Sequence, residues 1–208
     1  MALIVAVLDT NVLVPVSLTD TLLRSAEHRR YVPPWSEAIL DEVIRHVARL
    51  HPAGGTQAAR RRVAFMCEAF PDAMVEGWED LVEEMTNDPK DRHVLAAAAR
   101  GDADVIVTNN LDDFPADACA PLGLRSLTAD GFLCDIWHDD PELAYSMIEQ
   151  QAADLRDHDT DSVLDVLTGH VPKFSTLVRA VRQGRGDPRP QIRPVAPAQP
   201  HGSWDELA

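Results

Sequence analysis

The chain has 208 residues, 45% of them hydrophobic and 25% charged, with a formal net charge of −15. That length and apolar content suit one globular domain of common size with an appendage, and exclude a fold that depends on staples for its core. The acidity weighs against nucleic-acid binding through net positive charge, although carboxylates that gather a metal ion reverse the local potential.

Three cysteines, Cys67, Cys119 and Cys134, are odd in number and lack metal-ligand spacing, so they read as reduced, small apolar side chains. The start, MALIVAVLDT, has no basic segment, and its apolar run is too short to cross a bilayer. The expectation is a cytoplasmic protein, neither secreted nor membrane-inserted.

In chain order, residues 3–8 (LIVAVL) form a short continuous apolar run, as in a parallel strand buried on both faces. Residues 19–30 predict a helix. Residues 36–50 predict a clearer one, with Ile39, Leu40, Val43, Val47 and Leu50 at helical spacing and Ser36 as its cap. A third helix is expected over 56–70 and a short strand at 73–75. In TNDPKD, Asp88 reads as an N-cap, Pro89 as the first helical residue and Asp91 as the third, with the helix closing at Gly101. Residues 104–108 (DVIVT) are a second buried strand, and 128–138 another helix.

This alternation predicts an α/β fold, a parallel sheet flanked by helices. Beyond residue 139 the texture becomes helical, with segments at 141–157, 161–167 and 172–182, and from Gln183 on it turns proline-rich and aperiodic. The expected organisation is a domain over 1–138, a helical extension over 139–183 and a flexible tail over 184–208.

Four acids stand out. Asp9 and Asp113 follow the two buried strands, where ligands bind in open α/β sheets. Glu42 lies on the second helix and Asp91 opens a later one. Each has an ordinary alternative: Asp9 a turn or cap, Glu42 a surface position, Asp91 a helix-dipole residue, Asp113 a loop. Brought together, they would repel unless a divalent cation relieved them, and oxygen-only ligands point to Mg²⁺ or Mn²⁺. Asn11 is placed to orient Asp9 or a water, and Thr108, Asn109, Asn110 and Asp112 share the loop of Asp113. The histidines show no zinc spacing, and phosphate-loop and nucleophile-elbow motifs are absent.

DTNVLV after the first strand, SEAILDEV on a helix, DPKDRHVLAAA opening another and VIVTNNLDDFP at a later strand resemble, in order and spacing, the PIN-domain ribonucleases, and among these the VapC-type toxins. The resemblance covers roughly residues 1–135. It implies a three-layer α/β/α sandwich and an acidic Mg²⁺ or Mn²⁺ pocket, with Asp9, Glu42 and Asp91 as the first three acids. For the fourth, many members have Asp where this chain has Asn110. Asp113 is the favoured replacement, Asp112 the second, with Asn110 as a neutral ligand or water-holder.

The resemblance further implies an RNA substrate and a cognate antitoxin protein as partners, and allows a homodimer. Arg92 and the cluster Arg60, Arg61 and Arg62 are candidates for offsetting phosphate repulsion, with a solvated helix face as their ordinary alternative. Two other classes compete. A binding module on the same fold with a weakened site is motivated by Asn110 and the net charge. A receiver-like phospho-acceptor lacks the early acidic pair and the late lysine after a strand, since Lys173 precedes a helix.

Overall fold

The computed structural model describes residues 3–155 and 158–184. Its centre is a four-stranded parallel sheet in the order β2-β1-β3-β4, formed by β1 (Ile4–Leu8), β2 (Tyr31–Val32), β3 (Val105–Val107) and β4 (Arg125–Leu127). Ala6, Val7 and Leu8 of β1 pair with Val105, Ile106 and Val107 of β3, and all six are fully buried. Continuous apolar runs therefore fill the two central strands, whose faces are both covered by helices. The edge strands β2 and β4 are two and three residues long and carry little periodicity, and the sequence pattern misses both.

From β1 the chain passes through α1 (Thr10–Leu13) and α2 (Val16–Glu27) to β2 on one side. It then returns through α3 (Glu37–Leu50), α4 (Gly55–Ala69) and α5 (Arg92–Arg100) to β3 on the other. The direction of winding reverses between β1 and β3, so a crevice opens beyond their carboxyl ends.

Ser36 caps α3 as expected, its hydroxyl accepting from the Ile39 N–H at 3.4 Å. Residues 73–75 form only an isolated bridge, Trp35 to Met74. The expected start of α5 is corrected: Asp88 accepts from the Lys90 N–H at 3.1 Å and closes a turn, and Asp91 becomes the flanking residue of a helix that begins at Arg92. Pro89 thus belongs to the turn, and the Asp91 side chain caps nothing, which leaves its carboxylate available to the crevice.

A short helix α6 (Ala116–Cys119) leads to β4, and α7 (Ala129–Asp139) follows. The helical segments beyond it are α8 (Pro141–Asp154), α9 (Thr160–Thr168) and α10 (Pro172–Gly184). They pack onto α2 and α7, and Met147, Ile148, Leu164, Leu167, Phe174 and Val178 belong to the same hydrophobic cluster as the sheet. Polar contacts fix this docking. The Gln151 amide accepts from Thr21 Oγ1 at 2.8 Å and donates to the Ser17 carbonyl at 3.0 Å. Buried Arg24 joins Asp20 at 2.9 Å and Asp154 at 2.7 Å. Asp130 on α7 accepts the Phe174 N–H at 2.9 Å, capping α10 from outside. Most of the expected tail, residues 185–208, lies outside the described residues.

Candidate metal and active site

Asp9 leaves β1 with its backbone N–H still paired to the Val107 carbonyl at 3.0 Å, so its side chain enters the crevice from the sheet itself. The carboxylate is buried and held from two sides. Thr108, the residue after β3, donates its hydroxyl to Asp9 Oδ2 at 2.8 Å, and Asn11 Nδ2 donates to the same oxygen. Asn11 also donates to Thr108 Oγ1 at 2.9 Å, while its own carbonyl accepts the Asn109 N–H at 2.9 Å. The two loops are thereby sewn together at the crevice mouth. Burial pushes the Asp9 carboxyl upward, Thr108 and the Thr10 N–H oppose that, and repulsion from Glu42 adds to it.

Glu42 faces the site from α3. Its Oε2 accepts from Thr10 Oγ1 at 2.8 Å and lies 3.3 Å from His93 Nε2. Nε2 is buried and makes no well-aligned hydrogen bond. The His93 imidazole beside it, with Thr10, holds the Glu42 carboxyl down at about 2 against the opposing effect of burial. The ring itself is fixed by Nδ1, 3.0 Å from the Lys90 carbonyl, and by edge contact with Trp78.

Asp91 and Asp113 make the other half. Burial, then repulsion from Asp113 and Asp9, pushes the Asp91 carboxyl up to about 6, with Lys90 opposing. Asp91 Oδ2 is buried and accepts no hydrogen bond. Asp113 is oriented by Asn110, whose Nδ2 donates to its Oδ2, and by Asn87, whose Nδ2 donates to its backbone carbonyl at 3.2 Å. Each carboxylate thus feels the next, Glu42 through Asp9 and Asp91 to Asp113.

The donor set fits a hard divalent cation: it is all oxygen, its members repel one another, and one buried carboxylate oxygen accepts no hydrogen bond. As the side chains stand, no three His, Cys, Asp or Glu groups among the described residues converge on one point closely enough to hold an ion.

The other sequence candidates divide. Asn11, Thr108 and Asn110 lie within the hydrogen-bonded network. Asp112 is exposed and makes no hydrogen bond or ion pair with it. Arg92 donates Nε–H to the Asn87 carbonyl at 3.4 Å, supporting the turn that carries Asp91. Arg60 and Arg61 are exposed on α4. Arg62 is corrected: it is buried, and its Nη1 donates to the carbonyls of Leu13 at 3.3 Å and Val14 at 3.0 Å, so it cannot reach a phosphate. Thr10, Asn87, Lys90 and His93 were not singled out from sequence. Lys90 and His93 flank Asp91 in DPKDRH, but only the turn geometry shows that they face the acids.

The family model for the PIN domain matches residues 5–112, just over half of the chain. The chain belongs to the PIN-domain family. Its parallel sheet and flanking helices are the α/β fold expected of a PIN domain. Over 109 residues, 51% of this chain and 64% of the other, the chain is 40% identical to a Mycobacterium tuberculosis protein named "Putative ribonuclease VapC50". The match therefore spans less than two thirds of that relative. No solved structure matches the chain. Among the described residues no helix is long and apolar enough to cross a membrane.

Proposed function

We propose that this PIN domain is a metal-dependent endoribonuclease, the toxin of a toxin–antitoxin pair. The observation that carries the reading is the electrostatic coupling of four carboxylates from four separate elements at the switch point of the sheet, with Asp91 driven up to about 6. The name of the 40% identical relative supports the same chemistry.

Asp9, Glu42, Asp91 and Asp113 would hold Mg²⁺ or Mn²⁺, which when bound supplies Lewis-acid activation of the phosphodiester and the attacking water. The chain's own residues set the frame. Thr108 and Asn11 fix Asp9 in one rotamer, Thr10 and His93 keep Glu42 ionised, and Asn110 turns Asp113 toward Asp91. Asp113, partly open to solvent, or a neighbouring carboxylate takes the proton from the water whose oxygen attacks phosphorus. The P–O3′ bond breaks in line, leaving a 5′-phosphate and a 3′-hydroxyl that takes up a proton. Single-stranded RNA is the substrate form that can enter such a crevice. Arg60 and Arg61 are the exposed candidates to meet its phosphates. A cognate antitoxin, a homodimer and a cytoplasmic location belong to this same reading.

The test is cleavage of a mixed RNA pool with Mg²⁺ or Mn²⁺ by wild type, Asp9→Asn and Asp91→Asn. Cleavage by wild type and loss of at least a hundredfold in each variant is expected. Equal activity in all three sinks the enzyme reading. No cleavage by any, with no metal binding by calorimetry, favours a binding module, the alternative that Asn110 in place of an acid would fit.

A further inference from the structure

Lys90 Nζ lies 3.4 Å from both carboxylate oxygens of Asp113 and 3.5 Å from Asp91 Oδ2. It stands between two acids that repel each other, beside the buried oxygen that accepts no hydrogen bond. These separations exceed the roughly 2.7–2.9 Å of a strong ammonium–carboxylate hydrogen bond, so the contact is mainly charge and yields easily. The backbone of Lys90 is pinned at both ends. Its N–H donates to Asp88 Oδ1 at 3.1 Å, and its carbonyl meets His93 Nδ1 at 3.0 Å. The side chain is 63% exposed. A fixed root with a free, flexible stem lets the ammonium enter or leave while the turn stays put.

We infer that Lys90 is the resident counter-ion of the metal-free site, holding Asp91 and Asp113 together and giving way when a divalent cation enters. The inference rests on the metal-dependent reading above. Its consequence is that metal loading competes with an internal cation. The site stays assembled without metal, and its affinity for metal is lower than its carboxylates alone would set.

The test is calorimetric titration of Mn²⁺ into the full chain, for wild type, Lys90→Met and Lys90→Arg, alongside thermal unfolding in EDTA. Lys90→Met removes the charge from an exposed side chain and keeps the stem. It should bind Mn²⁺ about tenfold more tightly than wild type and melt a few degrees lower without metal, since two like charges lose their screen. Lys90→Arg keeps a cation there and should bind no more tightly than wild type. Unchanged or weaker binding by Lys90→Met, or equal tightening by Lys90→Arg, overturns the role of Lys90 while leaving the nuclease reading in place. No Mn²⁺ binding by wild type overturns both.

Discussion

At the scale of single residues, the site pairs groups that hold a carboxylate with groups that strain it. Asp9 is secured by Thr108, and removing that hydroxyl leaves a buried carboxylate oxygen short of a donor. Thr108→Val should therefore cost about 1–3 kcal/mol in chemical denaturation and weaken Mn²⁺ binding, whereas Asp112→Asn should change neither.

Asp91 is the strained member. Its folded-state carboxyl sits near 6, above the ordinary value of 3.8. The folded protein thus binds the extra proton between about pH 4 and 6, and stability falls as pH rises through that window. In EDTA, Asp91→Asn should be more stable than wild type at pH 7 by about 1 kcal/mol, a figure already discounted for partial solvent screening, with the gain vanishing near pH 4. Denaturant titrations at the two pH values check this. An Asp91→Asn protein less stable than wild type at pH 7 would show that Asp91 is a structural acid. The direction is the one expected of a ligand carboxylate, whose placement costs stability until its ligand arrives.

At the scale of elements, the arginine cluster on α4 separates by helix face. Arg60 and Arg61 are exposed, while Arg62 turns inward and ties the end of α1 through the carbonyls of Leu13 and Val14. Arg62→Met should leave those carbonyls unpaired and cost about 2 kcal/mol of stability, while the folded protein keeps wild-type cleavage per molecule. Arg60→Ala with Arg61→Ala should do the reverse, keeping the melting temperature and raising KM for RNA. A stable Arg62→Met protein would contradict the anchoring role.

The helices of the sheet domain were legible in sequence because apolar spacing reports a buried face directly: α3, α4, α5 and α7 fall within a few residues of their expected bounds. The edge strands β2 and β4 were not, because two or three residues carry no measurable period. The first turn of α5 was misplaced for another reason. Asp88, Pro89 and Asp91 each suit a helix start, and nothing local states that the chain makes a turn there first.

At the scale of the whole molecule, α8, α9 and α10 share the hydrophobic cluster of the sheet, with α8 and α9 covering α2 and α10 packed on α7. Arg24, buried on α2, shares its charge between Asp20 on its own helix and Asp154 on α8. A chain cut after residue 140 would expose the apolar face of α2 and take Asp154 from a buried arginine. Such a truncation should not give a soluble, cooperatively melting protein, while the full chain should melt in one transition. A stable, cooperatively folded fragment would make the C-terminal helices a separable appendage.

The sequence by itself determined the α/β class, the two central strands and the main helices, and it nominated Asp9, Glu42 and Asp91 as acids while leaving the fourth place open among Asp113, Asp112 and Asn110. Those follow from apolar periodicity and from residue type beside a strand end, both written locally in the chain. Only the tertiary structure decided which fourth-position residues meet the acids, that Arg62 is internal, and that Thr10, Asn87, Lys90 and His93 complete the crevice. These are contacts between residues distant in sequence, or directions of side chains on a turn. They are set by the reversal of winding between β1 and β3 and by the packing that seats α3 and α5 against it, which no local pattern encodes.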